Sequence, residues 1–181
     1  MKYYKYLNYL DWKPLSEKLK LYIINSGEKY LNNNYNTKVL RKIDKDNLLN
    51  QIPEIKNFFD SINLTISSMT FFITGEKSLP IHIDYTKVNA RIAWPVLNCE
   101  NTETRFYYTP ALPELKYQTD GVPYWYIDST LCSYVDVYRL NCPVAFKVAI
   151  PHHVFPIENL PNPRVSCIFE FKEEIIHLID D

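Results

Sequence analysis

The stretch Leu79-Pro-Ile-His-Ile-Asp-Tyr85 places a histidine and a carboxylate two residues apart, at His82 and Asp84. Residues i and i+2 of a β-strand point to the same face of the sheet, so both side chains can reach one metal ion from one strand. Two imidazoles and one carboxylate can occupy one face of an octahedral ferrous ion and leave three positions open. The pattern therefore predicts a second histidine on a neighbouring strand, after a long gap in sequence.

That histidine lies in Pro151-His152-His153-Val154. Adjacent strand residues point to opposite faces, so only one of His152 and His153 can be a ligand. Arg164 and Ser166 follow, and they share one face of a later strand. An arginine fork matches a carboxylate, and a serine hydroxyl can add a third donor. The residues together indicate a ferrous ion beside a dicarboxylate cosubstrate.

The segment from about Ser68 to Phe171 resembles the iron(II)/2-oxoglutarate-dependent dioxygenases, and within that superfamily it is similar to the aspartyl/asparaginyl and prolyl hydroxylase-like members. Three blocks carry the resemblance: His82–Asp84, Arg91–Asn98, and Ile150–Val154 leading into Arg164–Phe171. The resemblance implies a double-stranded β-helix, a jelly-roll or cupin-like barrel, with helices packed on one sheet.

The resemblance also implies the roles of the site residues. Iron(II) would be held by His82, Asp84 and His152, because the family often shows Pro-His-x-Val at the second histidine. Arg164 and Ser166 would bind the far carboxylate of 2-oxoglutarate. With dioxygen, such an enzyme hydroxylates an amino acid, a protein side chain or a small molecule, and it releases succinate and carbon dioxide.

Other residues are secondary candidates. Arg91 either lies near the cosubstrate or substrate, or is a solvent-facing strand end. Candidate substrate contacts are Tyr85, Asn98, Trp125 and His153. The segment Thr109–Asp128 contains Pro110, Pro113, Gly121 and Pro123, which favours a long loop between strands that could set specificity.

Two rival functions stay open at this point. One is a non-catalytic jelly-roll or cupin-like binding module, which predicts poor iron affinity and no succinate. The other is a different metalloenzyme on the same barrel. Such sites commonly use three or four histidines, whereas the chain has four in all, including His177 in the tail. A three-histidine site would need both His152 and His153, which strand geometry opposes.

The hydrophobic pattern predicts a mainly β chain with N-terminal helices. Apolar residues at helical spacing indicate helices over Pro14–Ser26 and Asp44–Ile62, with the polar run Asn32–Asn36 as a loop. Residues rich in Val, Ile, Phe, Tyr and Thr indicate strands at Thr65–Thr74, Ala90–Leu97, Arg105–Tyr108, Tyr124–Ile127, Tyr134–Leu140, Val144–Ile150 and Arg164–Phe171.

The last of these strands predicts how the layers pack. Val165, Cys167, Phe169 and Phe171 form an apolar face opposite Arg164 and Ser166. Helices should cover that apolar face. We expect one domain over residues 1–181, with helical support in 1–62, the β core in 63–172 and a tail in 173–181 that could form a short helix.

Composition excludes several function classes. The net charge of −1 and the scattered basic residues give no footprint for a nucleic-acid backbone, which argues against a nucleic-acid demethylase. No apolar stretch approaches the ~18 residues of a membrane span, and the polar-aromatic start resembles no signal peptide. We expect a cytoplasmic protein with four free cysteines and with small-molecule or peptidyl partners. Oligomeric state and substrate identity are not readable from the sequence.

Overall fold

The computed structural model describes residues 1–8, 11–26, 38–40, 44–74, 79–118, 121–157 and 164–180, and the predicted loop Asn32–Asn36 lies outside them. The described part is mainly β with few helices. The helices are α1 (Lys13–Ser26), α2 (Lys45–Gln51), α3 (Pro53–Asp60) and α4 (His177–Asp180). The strands are β1 (Tyr4–Tyr6), β2 (Lys38–Leu40), β3 (Ile66–Thr74), β4 (His82–Asp84), β5 (Ala90–Leu97), β6 (Thr102–Tyr108), β7 (Glu114–Tyr117), β8 (Pro123–Tyr126), β9 (Ser133–Arg139), β10 (Val144–Lys147), β11 (His152–Pro156) and β12 (Arg164–Phe171).

The strands form two six-stranded antiparallel sheets. Sheet I has the order β1-β10-β5-β12-β3-β2, and sheet II has the order β7-β8-β4-β11-β6-β9. Neighbours in each sheet are mostly distant in sequence: β12 lies between β5 and β3, and β11 lies between β4 and β6. Within the described ranges, strand pairing leaves two separate sheets and does not join them into a closed barrel.

The outer face of sheet I packs against the helices, as the alternation along β12 predicts. Val165, Cys167, Phe169 and Phe171 belong to one buried cluster with α1, α2 and α3. Phe59 of α3 is at its centre, with ring centroids 4.8 Å from Phe169 and 4.9 Å from Phe171. Burying this apolar surface is the main force that holds the helices on the sheet.

A buried polar junction fixes the position of α1 on sheet I. The Ser16 hydroxyl donates to the carbonyl oxygen of Pro95 at 2.7 Å and accepts from the indole Nε1–H of Trp94 at 2.8 Å. The indole N–H and the hydroxyl therefore have partners inside an otherwise apolar layer, where an unpaired polar group is costly.

Two predicted elements differ from the structure. The single helix expected over Asp44–Ile62 is two helices, because Pro53 has no amide hydrogen and disfavours helical geometry at Ile52 (φ −130°, ψ 69°). The loop expected over Thr109–Asp128 contains a hairpin, in which β7 pairs with β8 and Gly121 adopts φ 81° in the connection.

Two further expectations concern membranes and disulfides. In the ranges that the structure covers, no helix combines the length and apolarity that a bilayer crossing needs. Cys99, Cys132, Cys142 and Cys167 are all free thiols, as expected.

Candidate metal centre

The inward faces of the two sheets meet over a buried cavity. Alternation along β12 turns Arg164, Ser166 and Ile168 inward, while their neighbours face the helices. Sheet II supplies the opposite wall from β4, β6, β9 and β11. The lining is both polar and apolar and comprises Phe72, Thr74, Leu79, His82, Asp84, Arg91, Ala93, Thr104, Tyr138, Phe146, His152, Val154, Arg164, Ser166 and Ile168.

Antiparallel pairing brings His82, Asp84 and His152 together. His152 on β11 is directly opposite His82 on β4, and Asp84 shares the face of His82. Asp84 Oδ1 lies 3.5 Å from His82 Nε2 and 3.8 Å from His152 Nε2. All three potential ligand atoms lie within 4.8 Å of one another. His82 and His152, seventy residues apart in sequence, are thus brought into one cluster of potential metal ligands.

Backbone carbonyls orient both imidazole rings. His82 Nδ1 is 2.8 Å from the carbonyl oxygen of Pro80, and His152 Nδ1 is 2.8 Å from that of Ile150. A carbonyl can only accept, so each Nδ1 carries the proton, and in the neutral ring Nε2 presents its lone pair. Metal-binding histidines use this arrangement, in which a hydrogen bond at one nitrogen fixes the other as ligand.

The local electrostatics favour the metal-binding protonation states of His152 and Asp84. Burial, reinforced by the neighbouring His82, lowers the pKa of His152 to about 4, so its ring is neutral at physiological pH. Burial alone would raise the pKa of Asp84. The neighbouring imidazoles and the positive charge of Arg91 outweigh it, so the pKa of Asp84 lies below its usual range. The cluster therefore offers a neutral imidazole at His152 and an ionised carboxylate at Asp84, beside Nε2 of His82.

This donor set fits a ferrous ion. Two imidazoles and one carboxylate on one side of a cavity are the ligands of the non-haem iron(II) facial triad. A structural zinc site would close its coordination with a fourth protein ligand. Among the residues that the structure describes, the cluster has three members. The remaining coordination positions would face the cavity.

His153 lies on the other face of β11, as strand geometry requires. It pairs in register with Arg105, while His152 pairs with Phe106. Its ring contacts Phe155 at 5.8 Å between centroids, and burial lowers its pKa to about 4. His153 is not part of the metal-ligand cluster and does not line the cavity.

Arg164 is a buried cation at the cavity wall. Its residue is only 3% exposed. Its Nε–H donates to Thr102 Oγ1 at 2.9 Å and its Nη1 donates to Ser166 Oγ at 3.3 Å. In the described ranges, the structure shows no carboxylate paired with this guanidinium. A buried charge without a counter-ion is costly, and a bound anion would offset that cost.

Sequence reasoning missed two side chains near Arg164. Thr104 and Tyr138 are directly opposite each other on β6 and β9, and both line the cavity. Burial raises the pKa of the Tyr138 phenol, which shares a hydrogen bond with Thr104, so Tyr138 stays protonated as a donor. Nothing in sequence separated this tyrosine from the many that pack in the core.

Arg91 lies beside the cluster of His82, Asp84 and His152 and not at a solvent-facing strand end. It is buried apart from 13% of its side chain, and its Nη1 is 2.5 Å from Asp84 Oδ2. Its Nη2 pairs with Glu170 Oε1. The structure therefore places Arg91 behind the carboxylate ligand.

The remaining candidates lie at the margin of the cavity or outside it. Tyr85 is 54% exposed and lines two neighbouring cavities, one of which Asp84 also lines. Trp125 pairs with Ile83 and so faces away from the ligands, although its ring is 5.8 Å from that of Tyr85. On the same strand, Tyr124 pairs with Asp84 and lines the smaller of the neighbouring cavities, which Asp84 shares. Asn98 has a positive φ of 52° in the turn after β5 and does not line the cavity, so its geometry gives a turn role.

Comparisons with known proteins add a likeness in shape. No protein-family model matches the chain, and no curated protein matches it. Among solved structures, the chain is similar to a Pseudomonas putida prolyl-4-hydroxylase, with 13% identity, 96% of this chain and 94% of that chain covered, and a TM-score of 0.45. What the chain does is therefore inferred from the side chains of the site.

Proposed function

We propose that the chain is an iron(II)- and 2-oxoglutarate-dependent oxygenase that hydroxylates an amino acid, a protein side chain or a small molecule. One observation carries the proposal: a single buried cavity is lined by a two-histidine, one-carboxylate cluster and by a buried guanidinium. On this proposal, the two sheets form the jelly-roll core of one domain. When bound, iron(II) with 2-oxoglutarate and dioxygen supplies an oxidative decarboxylation to succinate and carbon dioxide, coupled to hydroxylation of a C–H bond.

Each protein group has a physical task in this scheme. His82, Asp84 and His152 hold the metal from one side, which leaves the cavity side for exchangeable ligands. Arg164 and Ser166 bind the far carboxylate of 2-oxoglutarate through charge-assisted hydrogen bonds. They lie on sheet I and the cluster lies on sheet II, so a dicarboxylate held by both would span the cavity between the sheets.

The apolar part of the lining has a different task. Phe146, Val154 and Ile168 exclude water from the cavity. Low water access strengthens the pairing of Arg164 with an anion and suppresses side reactions of a reactive oxidant. Substrate would approach from the side of Tyr85 and Tyr124, where the cavity adjoins the exposed hairpin β7–β8.

The test is an anaerobic titration of the protein with iron(II) and then 2-oxoglutarate. We expect the weak visible charge-transfer band of an iron-chelated oxoacid, which requires both groups in one site. His82→Ala should abolish the band, and Arg164→Met should weaken it. Absence of the band in folded protein would contradict the proposal and favour the binding module.

Two adjacent histidines provide a matched pair of variants. His152→Ala should abolish the band, whereas His153→Ala should retain it, because only the first is in the cluster. Each substitution removes one imidazole from the same strand, so general damage to β11 affects both. The reverse result would assign the metal to His153.

A further inference from the structure

Arg91 connects the two sheets beside the cluster of potential metal ligands. It belongs to β5 of sheet I, and its Nη1 contacts Asp84 of β4 in sheet II at 2.5 Å. Its other terminal nitrogen pairs with Glu170 of β12. Glu170 in turn accepts a hydrogen bond of 2.8 Å from Ser68 of β3. A continuous polar line therefore runs from the strands of sheet I to the carboxylate ligand.

The guanidinium acts as a bridge between two carboxylates. Its terminal nitrogens hold Asp84 and Glu170, while Arg91 Nε is buried without a hydrogen-bond partner in the part of the chain that the structure describes. A buried donor of this kind normally has a hydrogen-bond partner. The unsatisfied Nε indicates that the two carboxylates set the position of the guanidinium, even though one hydrogen bond of Nε is not made.

The two carboxylate oxygens of Asp84 have different partners. Oδ2 is occupied by Arg91, whereas Oδ1 faces the Nε2 atoms of both histidines. A hydrogen bond and a positive charge at Oδ2 weaken it as a donor to a cation. Asp84 is thus prepared to give one oxygen to a metal, and not two.

The number of oxygens decides how many positions stay open. An octahedral ion with two imidazoles and one carboxylate oxygen has three exchangeable positions. A chelating oxoacid would need two of these positions, which leaves one for a small exchangeable ligand. A carboxylate bound through both oxygens would leave one position too few.

We propose that Arg91 is a positioning residue that keeps Asp84 a one-oxygen ligand, and so reserves the position that the oxoacid chelate needs. This inference rests on the proposed function. It assigns Arg91 to the carboxylate ligand, with Glu170 and Ser68 fixing the guanidinium from behind.

The test uses cobalt(II), which takes the same nitrogen and oxygen donors and whose visible bands report coordination. Cobalt affinity and then 2-oxoglutarate affinity are measured anaerobically by calorimetry, with spectra, for the wild-type protein and Arg91→Met. We expect 2-oxoglutarate affinity to fall about 10- to 100-fold, which is the loss of metal affinity or activity typical when a group behind a metal ligand is removed. Cobalt affinity should fall by less. The bands of the cobalt-loaded variant should change little when the oxoacid is added.

Two further variants separate positioning from charge and guard against misfolding. Arg91→Lys keeps the charge but cannot hold both carboxylates, so it should restore only part of the affinity. Glu170→Gln removes a negative charge, so charge alone predicts tighter binding of the dianionic cosubstrate. Positioning predicts weaker binding, because Arg91 loses its charged anchor. Arg105→Met is the matched control for loss of an arginine on another strand.

The outcomes distinguish this inference from the proposed function. Wild-type protein that binds cobalt but not 2-oxoglutarate overturns both. Wild-type protein that binds both, with Arg91→Met equal to it, overturns the positioning role alone. Full restoration by Arg91→Lys together with tighter binding in Glu170→Gln also overturns it, since charge would then explain the effect.

Discussion

Replacing Arg164 by methionine should change stability and cosubstrate binding in opposite directions. The guanidinium is buried, and in the described part of the chain its partners are the neutral hydroxyls of Thr102 and Ser166. Methionine has a similar length and no charge. Replacing a buried ion pair by well-packed apolar residues is often neutral or stabilising, by about 1–4 kcal/mol, and removing a buried cation that has no counter-ion should act in the same direction. The Thr102 hydroxyl keeps its hydrogen bond of 2.9 Å to the carbonyl oxygen of Cys99.

The effect on binding follows from the hydrogen bonds that are lost. Hydrogen bonds to charged groups contribute about 1.5–3 kcal/mol each. An arginine fork can make two of them to one carboxylate. A loss of about 3 kcal/mol corresponds to roughly 100-fold weaker binding of 2-oxoglutarate, at about 1.4 kcal/mol per tenfold. The potential metal ligands are on β4 and β11, whereas Arg164 is on β12, so iron affinity should change little.

Two measurements on the same variant check this. Urea unfolding of the metal-free protein gives the free energy of unfolding, and anaerobic calorimetry on the metal-loaded protein gives 2-oxoglutarate affinity. Arg164→Lys is the control, since it keeps the charge without the fork. A loss of stability above about 2 kcal/mol with cosubstrate affinity unchanged would refute the reasoning and make Arg164 a structural residue.

Three further predictions concern the core and the metal. Phe59→Ala should lower the free energy of unfolding by about 3–5 kcal/mol in urea, because it empties the centre of the helix–sheet layer, with metal affinity of the folded protein unchanged. Ser16→Ala should cost about 1–3 kcal/mol by leaving the Trp94 indole N–H unpaired, and should cost less in a Trp94→Phe background, where only its hydrogen bond to the Pro95 carbonyl oxygen is lost. Iron(II) or cobalt(II) at about 100 times its Kd should raise the free energy of unfolding by about 2.7 kcal/mol, and His82→Ala or a chelator should remove the increment.

The local patterns in the sequence were the most informative. A period of two placed Arg164 and Ser166 on one face of β12 and its apolar residues on the other, and the structure has that arrangement. The same rule brought His82 and Asp84 to one face and separated His152 from His153. These properties depend only on neighbours along one strand, so one sequence contains them.

Properties that depend on strand pairing could not be predicted. Arg91 and Asp84 are seven residues apart, but they meet across two different sheets. Which tyrosine lines the cavity depends on which strands become neighbours, and Tyr138 looks like any core aromatic until β9 pairs with β6. The break at Pro53 is different, because the missing amide hydrogen of proline is readable from the sequence alone.

The most direct measurement is a crystal structure of the protein grown anaerobically with iron(II) and 2-oxoglutarate, with anomalous diffraction at the iron edge. We expect one anomalous peak bonded to His82 Nε2, His152 Nε2 and Asp84 Oδ1, with Asp84 Oδ2 still on Arg91 and the far carboxylate of 2-oxoglutarate on Arg164. A peak on other ligands, or a cosubstrate bound away from Arg164, would contradict this expectation.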